Sequence, residues 1–258
     1  MTQLRVLAFS IVAAVTCLLW GSVWAASNSV TVPGVADIWL AGQPNGTILV
    51  GGFPSNDVAP ANSPVLASTG LNLTAGSFLT FAVTGTTDYG GCASPSPDGA
   101  GACGTPSSGP FFGIASYSGP INALVGVFLV NSVPGGVAPP GLNFVSGAAQ
   151  SAATISPLLK QVFFIGDGRT GTGSGSVQQF VIPAGATRLF LASLDGGGAS
   201  YNNSGAFSVT VTDAAAPSGP ATPVPAMSEQ ALLALGILLA AFAALALHRS
   251  RGGPRRRQ

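Results

Sequence analysis

Charge is the scarcest property of this sequence. Of 258 residues only 7% are Asp, Glu, Lys or Arg, against roughly 25% in an ordinary soluble domain. Lysine occurs once, at Lys160, histidine once, at His248, and no glutamate precedes Glu229. Each gap excludes a class of function. Without histidine in the body of the chain, no Ser–His or Cys–His pair can activate a nucleophile. Without glutamate, and with no evident pair among scattered aspartates, glycosidase chemistry has no candidate. The chain is therefore expected not to be an enzyme. Between the two ends, seven aspartates (Asp37, Asp57, Asp88, Asp98, Asp167, Asp195, Asp213) face three cations (Lys160, Arg169, Arg188), a formal balance of −4. That excludes nucleic acid, which needs a basic surface. The three cations read as solvated surface charges and offer no basis for an anionic ligand.

What is abundant is glycine, with 36 residues, and proline, with 20. They separate short alternating runs: Ser29–Val32, Thr47–Leu49, Phe78–Val83, Ala123–Leu129, Gln178–Ile182, Arg188–Ala192 and Ala206–Val211. Alternation with period two marks strands, and Gly/Pro clusters mark turns. Gly51-Gly52-Phe53-Pro54 and Val133-Pro134-Gly135-Gly136 are such clusters. Gly185, in Pro183-Ala184-Gly185, can supply the positive φ of a turn between two strands. Ala148–Leu159 allows a short helical turn at most. Gly166–Gly175 is Gly-rich but lacks the Gly-Lys-Ser/Thr ending of a phosphate loop, and it reads as a long hairpin loop. The expectation is one all-β ectodomain over residues 27–213, a β-sandwich or jelly roll.

The two ends have a different character. Arg5 precedes an apolar run, Val6–Trp20, followed by small residues at Gly21, Ser22, Ala25 and Ala26. This is the layout of a secretory signal peptide, here residues 1–26, with cleavage after Ala25 or Ala26. The alternative is an uncleaved N-terminal anchor. Residues 214–223 form a Pro/Ala linker. Ala231–Leu247 is an apolar run of 17 residues, at the lower edge for a membrane helix. Five of the nine basic residues (Arg249, Arg251, Arg255, Arg256, Arg257) follow it, and such a cluster holds that end in the cytoplasm. The segment 224–258 resembles the exosortase-type sorting tails of Gram-negative surface proteins, whose motif reads Ile-Pro-Thr-Leu-Ser-Glu-Trp. Pro225, Ser228 and Glu229 match it, Val224 and Met227 are conservative, and Ala226 and Gln230 depart from it. The resemblance implies an exported protein, anchored transiently in the inner membrane and then placed at the cell surface or outside. A membrane protease would be its processing partner. An ordinary single-span anchor is the alternative, and it also leaves the domain outside the cytoplasm.

Two cysteines remain after signal removal, Cys92 and Cys103, in a Gly/Pro/Ser loop. An even pair in an oxidising compartment reads as a disulfide. Closing a loop of about a dozen residues contributes on the order of 3 kcal/mol by the chain-entropy estimate. A zinc site would need about four ligands, and no histidine stands nearby.

Asp195 ends a strand and is followed by Gly196-Gly197-Gly198-Ala199-Ser200-Tyr201-Asn202-Asn203. Carboxylate, amides and a flexible Gly run suit a hard cation such as calcium, which takes about six to eight oxygens. The Gly run would let backbone carbonyls turn inward. The same residues are also common turn formers, so a plain hairpin loop fits them too. Leu191–Val211 resembles the calcium loop of the bacterial galactophilic lectins, which have a jelly-roll, galactose-binding-like fold. There an Asp is followed seven and eight positions on by Asn-Asn and then Ser-Gly-x-Phe-x-Val, as in Asp195, Asn202, Asn203, Ser204, Gly205, Phe207 and Val209.

The resemblance implies a calcium site built from Asp195, Asn202, Asn203 and the carbonyls of Ala199 and Tyr89. It also implies a galactose-like glycan as partner, contacted by Asp195 and Asn202. The lectins add a His and a Gln from the Tyr-Gly loop. Here that loop is Cys92–Cys103, and Asp98 is its only charged group. Asp98 is thus either a substitute ligand-binding residue or simply the turn residue of Pro97-Asp98-Gly99. Two readings follow: a calcium-dependent lectin-like module at the cell surface, or a structural or adhesive surface domain that binds no sugar.

Overall fold

A computed structural model of the chain describes residues 25–51 and 56–214. Most of the expected signal segment, the linker beyond Ala214, the sorting residues Val224, Pro225, Ser228 and Glu229, and the apolar run Ala231–Leu247 lie outside the described residues. So does most of the Gly51–Pro54 turn. Among the described residues no helix is long and apolar enough to cross a membrane.

The described part is all-β, with one four-residue α-helix, Gly147–Gln150, inside the stretch that allowed a helical turn. Two larger sheets dominate. The first has five strands in the spatial order Ser27–Pro33, Ser204–Ala214, Phe78–Asp88, Gln179–Val181, Thr154–Ile155. The second has four, in the order Val162–Phe164, Leu124–Leu129, Arg188–Ser193, Val65–Leu66. Neighbours in both sheets are antiparallel except Thr154–Ile155, which is parallel to Gln179–Val181.

Sequence pattern explains which faces are covered. In Phe78–Asp88 the residues Leu79, Phe81 and Val83 are buried while Ala82 and Thr84 are exposed, the signature of a sheet with one covered face. Leu124–Leu129 is buried at all six positions, and such a continuous apolar run needs cover on both faces. One core takes side chains from both sheets, among them Phe207, Val209 and Val211 from the first and Val125, Val127 and Leu191 from the second. Phe180 of the first sheet meets Phe163 of the second with ring centroids 5.8 Å apart, and Phe81 beside it at 4.8 Å. Truncating Phe180 to alanine is expected to cost about 3–5 kcal/mol.

Three smaller sheets decorate this core: Ile48–Leu49 with Asp57–Val58, Arg169–Gly171 with Ser174–Val177, and Ser107–Ser108 with Tyr117–Ser118 and Leu142–Asn143. The second of these revises the reading of Gly166–Gly175 as loop. Thr170 Oγ1 accepts from Ser176 N at 3.0 Å and Asp167 Oδ2 from Gly173 N at 2.6 Å, and these bonds hold the Gly-rich run as a paired hairpin. The strand Phe78–Asp88 also runs well past Val83. Pairing with all eleven residues of Ser204–Ala214 carries it through Gly85, where alternation alone is lost.

Candidate functional site

The register of the two longest strands builds the site. Asp88 stands opposite Ser204, so the turn after the one strand meets the loop before the other. Asp88 shapes that turn, its Oδ1 accepting from Gly90 N at 2.8 Å and Cys92 N at 3.2 Å. Gly90 has φ +88°, and a Cβ there would stand 3.5 Å from Asn202 Nδ2. Tyr89-Gly90 and Asn202, distant in sequence, are thereby neighbours.

Buried hydroxyls tie the two large sheets together at this end. Thr87 Oγ1 lies 2.8 Å from Ser193 Oγ. Asn122 completes the tie: its N–H donates to Leu194 O and its Nδ2 donates to Cys92 O, both at 2.8 Å. Cys92 and Cys103 stand at disulfide distance, with Cα atoms 6.2 Å apart.

The loop after Asp195 is held through its backbone N–H groups. It turns alternate backbone N–H groups toward carboxylates. Gly196 N donates to Asp195 Oδ1 at 2.7 Å, Gly198 N to Asp37 Oδ2 at 2.8 Å, and Ser200 N to Asp57 Oδ2 at 2.8 Å. Glycine is required at 198 because φ is +80° and a Cβ would press on the backbone of Gly51 and Leu49.

Asp37 and Asp57 belong to the site although nothing in the sequence pattern singled them out. Asp37 caps the short 3-10 turn Ile38–Leu40, its Oδ1 accepting from Trp39 N at 2.9 Å. Asp57 opens the second strand of the Ile48–Leu49 hairpin. Both are buried, at 1% and 0% exposure. Asp37 and Asp57 accept from Gly198 N and Ser200 N, two residues apart on one loop, and Asp195 is close enough to feel the charge of Asp57.

Burial pushes the Asp37 carboxyl well above the usual carboxylate range; the adjacent Asp57 pushes the same way, and the Gly198 and Trp39 N–H groups pull against it. Burial likewise raises Asp195, with Asp57 adding to the shift and the Gly196 N–H and the Asn203 side chain opposing it. The one signal that could have found the pair is negative. The chain carries three cations in the domain, and each is spent on backbone carbonyls. Lys160 bonds Gly135 and Val137, Arg169 bonds Gly175, and Arg188 bonds Val130 and Ser132.

The expected ligands divide into two groups. Asp195, Ala199 and Asn203 are buried, whereas Asn202 is exposed beside the half-buried Tyr89. Asn203 Nδ2 donates to Gly34 O at 3.2 Å, which leaves Asn203 Oδ1 buried without a partner. Asp98 is not brought to this loop. Its Oδ1 accepts from Asp167 N at 2.8 Å, and it lines an open cleft with Gln150, Phe164, Arg169 and Thr170. Compared with models of known protein families and with curated proteins, the sequence matches none.

Proposed function

We propose that this chain is an exported surface protein whose domain is a jelly-roll β-sandwich of the galactose-binding-like kind, acting as a calcium-dependent carbohydrate-binding module without catalytic activity. Its C-terminal segment would anchor it in the inner membrane and hand it to a sorting protease. The observation that carries the reading is the meeting of Tyr89-Gly90 with Asn202 at the Asp195 loop. Two segments that the lectin resemblance pairs are neighbours here, on elements far apart in sequence. Contact of Phe163 with Phe180, tilted rings 5.8 Å apart between the two larger sheets, supports the sandwich.

Calcium bound at the loop would fix the Asp195 and Asn202 side chains, which would then offer oxygens and an amide to vicinal sugar hydroxyls. In this reading the protein orients and binds, and no bond of the glycan is broken. The engagement of Asp98 Oδ1 with Asp167 N, away from the Asp195 loop, favours a second reading, a structural or adhesive surface domain that binds no sugar.

Thermal unfolding of the full-length chain in detergent, with calcium, magnesium or EDTA, separates the two, together with a glycan array. A calcium-specific gain is expected, about 2.7 kcal/mol at a hundredfold excess over Kd, and it should vanish in Asp195→Ala along with glycan binding. Calcium binding with an empty array would leave the structural reading.

A further inference from the structure

We propose that Asp37, Asp57 and Asp195, with the amide oxygen of Asn203, form a buried calcium site on the inner side of the Asp195 loop. This deepens the calcium reading and rests on it, because Asp195 and Asn203 are shared. It moves the ion inward, away from the exposed Asn202 and toward two carboxylates contributed by the N-terminal part of the domain.

Four observations carry it. Asp57 is fully buried, yet its Oδ1 has no hydrogen-bond partner, while its Oδ2 is held by Ser200 N. Asn203 is 6% exposed and its Oδ1 is likewise unpartnered, its amide nitrogen being turned to Gly34 O. Buried oxygens without donors are rare in folded proteins and ask for an explanation. Asp37 and Asp57 hold the N–H groups of Gly198 and Ser200, two residues apart on the same loop, and Asp57 pushes up the carboxyl groups of both Asp37 and Asp195. Finally, the domain's three basic side chains are all occupied elsewhere by backbone carbonyls.

A buried carboxylate cluster without a cation is strongly unfavourable, since each charge has lost its water and repels the next. Backbone amides from Gly196, Gly198 and Ser200 relieve this in part. They leave lone pairs on every carboxylate, because an ionised carboxylate has about four acceptor positions. The donor set is all oxygen, with carboxylates and an amide carbonyl. That chemistry selects a hard cation, and flexible loop geometry with a mixed ligand set suits calcium better than the rigid octahedron magnesium demands. Among the described residues no three acidic, histidine or cysteine side chains close on a single point, so no more than two of the three carboxylates touch the ion and the third acts through them. The ion therefore takes its remaining oxygens from Asn203 and from water.

The test is calcium binding to the full-length chain in detergent, by equilibrium dialysis and by tryptophan-sensitised terbium luminescence. Trp39, two residues from Asp37 and bonded to its Oδ1 through the backbone N–H at 2.9 Å, is the nearby chromophore among the described residues. Two variants are compared with the parent, Asp57→Asn and Asn202→Ala. Asp57→Asn should weaken calcium binding by at least the roughly 10–100-fold that loss of an outer-shell partner costs. It should also abolish the luminescence, while its melting in EDTA shows it folded. Asn202→Ala should lose far less calcium affinity than Asp57→Asn does.

Parent-like affinity in Asp57→Asn overturns the inference. If Asn202→Ala alone loses the ion, the outer loop holds the calcium, so the lectin-like reading survives and this one falls. If the parent binds no calcium, both fall. Should Asp57→Asn not fold, Asp37→Asn carries the same comparison.

Discussion

The two ends of the strand Ser204–Ala214 handle buried carboxylates in opposite ways. At its C-terminal end Asp213 is 9% exposed and both its oxygens are used: Oδ1 accepts from Ala26 N at 2.6 Å and Oδ2 from Asn72 N at 2.8 Å. Asp213 N–H in turn donates to Ala26 O at 2.9 Å. One lone carboxylate braces three stretches of backbone there. At the N-terminal end, just before Ser204, Asn203 Oδ1 and an oxygen of the buried Asp57 both go without a donor, and Asp57 pushes up the carboxyl groups of Asp37 and Asp195. The contrast teaches that amides can neutralise the burial of a single carboxylate. They cannot cancel the mutual repulsion of several, for which a cation or a proton is needed.

The largest effect belongs to the satisfied end. Asp213→Ala strips two backbone donors of their partner at once and is expected to cost about 3 kcal/mol, read as a lower urea midpoint with unchanged m. The same end bears on processing. Cleavage after Ala25 would make the nitrogen of Ala26 an ammonium resting on Asp213, whereas cleavage after Ala26 would remove that partner. If the chain is exported with its signal removed, mass spectrometry of the mature protein should find Ala26 as its first residue, and a start at Ser27 would break this pairing. At the other end the sign should reverse. In EDTA, Asp57→Asn removes repulsion yet keeps an acceptor for Ser200 N, so it should stabilise by on the order of 1 kcal/mol. A loss of the size seen at Asp213 would erase the contrast.

How much of this was readable in advance follows from what each residue's role depends on. Leu79, Phe81 and Val83 alternate in sequence because they alternate in burial, so their strand was legible. Its second half, Thr84-Gly85-Thr86-Thr87, is polar and contains a glycine. It is a strand because Ser204–Ala214 pairs with it, and that is a long-range fact. Asp195, Asn202 and Asn203 were legible through motif spacing. Asp37 and Asp57 were not, because a carboxylate before Ile38-Trp39-Leu40 or after Asn56 looks like an ordinary cap or turn residue. Only packing reveals that both side chains point to the same buried place. Asp98 carried both readings; its Oδ1 is held by Asp167 N, a long-range bond that no sequence pattern announces.

Acidity sharpens the comparison further. Asp37 and Asp195 have carboxyl groups raised above the ordinary value, so without calcium the folded state takes up protons more readily than the unfolded chain. Their protonated forms add stability that is fully present below the unfolded pKa and is lost as pH rises through the raised folded values. In EDTA the urea midpoint should therefore climb as pH falls from neutrality into the mildly acidic range. A full proton would give about 1.4 kcal/mol per pH unit, and the slope should stay below that because uptake is spread over Asp37 and Asp195. Calcium should flatten the slope, and so should Asp57→Asn. A midpoint that only falls with acid would mean that the trio is already fully compensated by amides.

The smallest effect separates the two adjacent amides. Asn202 is exposed, and Asn202→Ala should change stability by no more than about 0.5 kcal/mol, with or without calcium. Asn203→Ala removes the side chain that reaches Gly34 O and Asp195, and it should cost about 1–2 kcal/mol in calcium but less in EDTA. The asymmetry follows from geometry, since one amide faces solvent beside Gly90 and the other is turned into the carboxylates. If both variants responded equally to calcium, the ion would have to touch both amides, which places it on the outer face of the loop. If only Asn203→Ala responded, the outer amide would remain free to contact a glycan while the inner one holds the ion. The loop would then divide its two asparagines between ligand and metal.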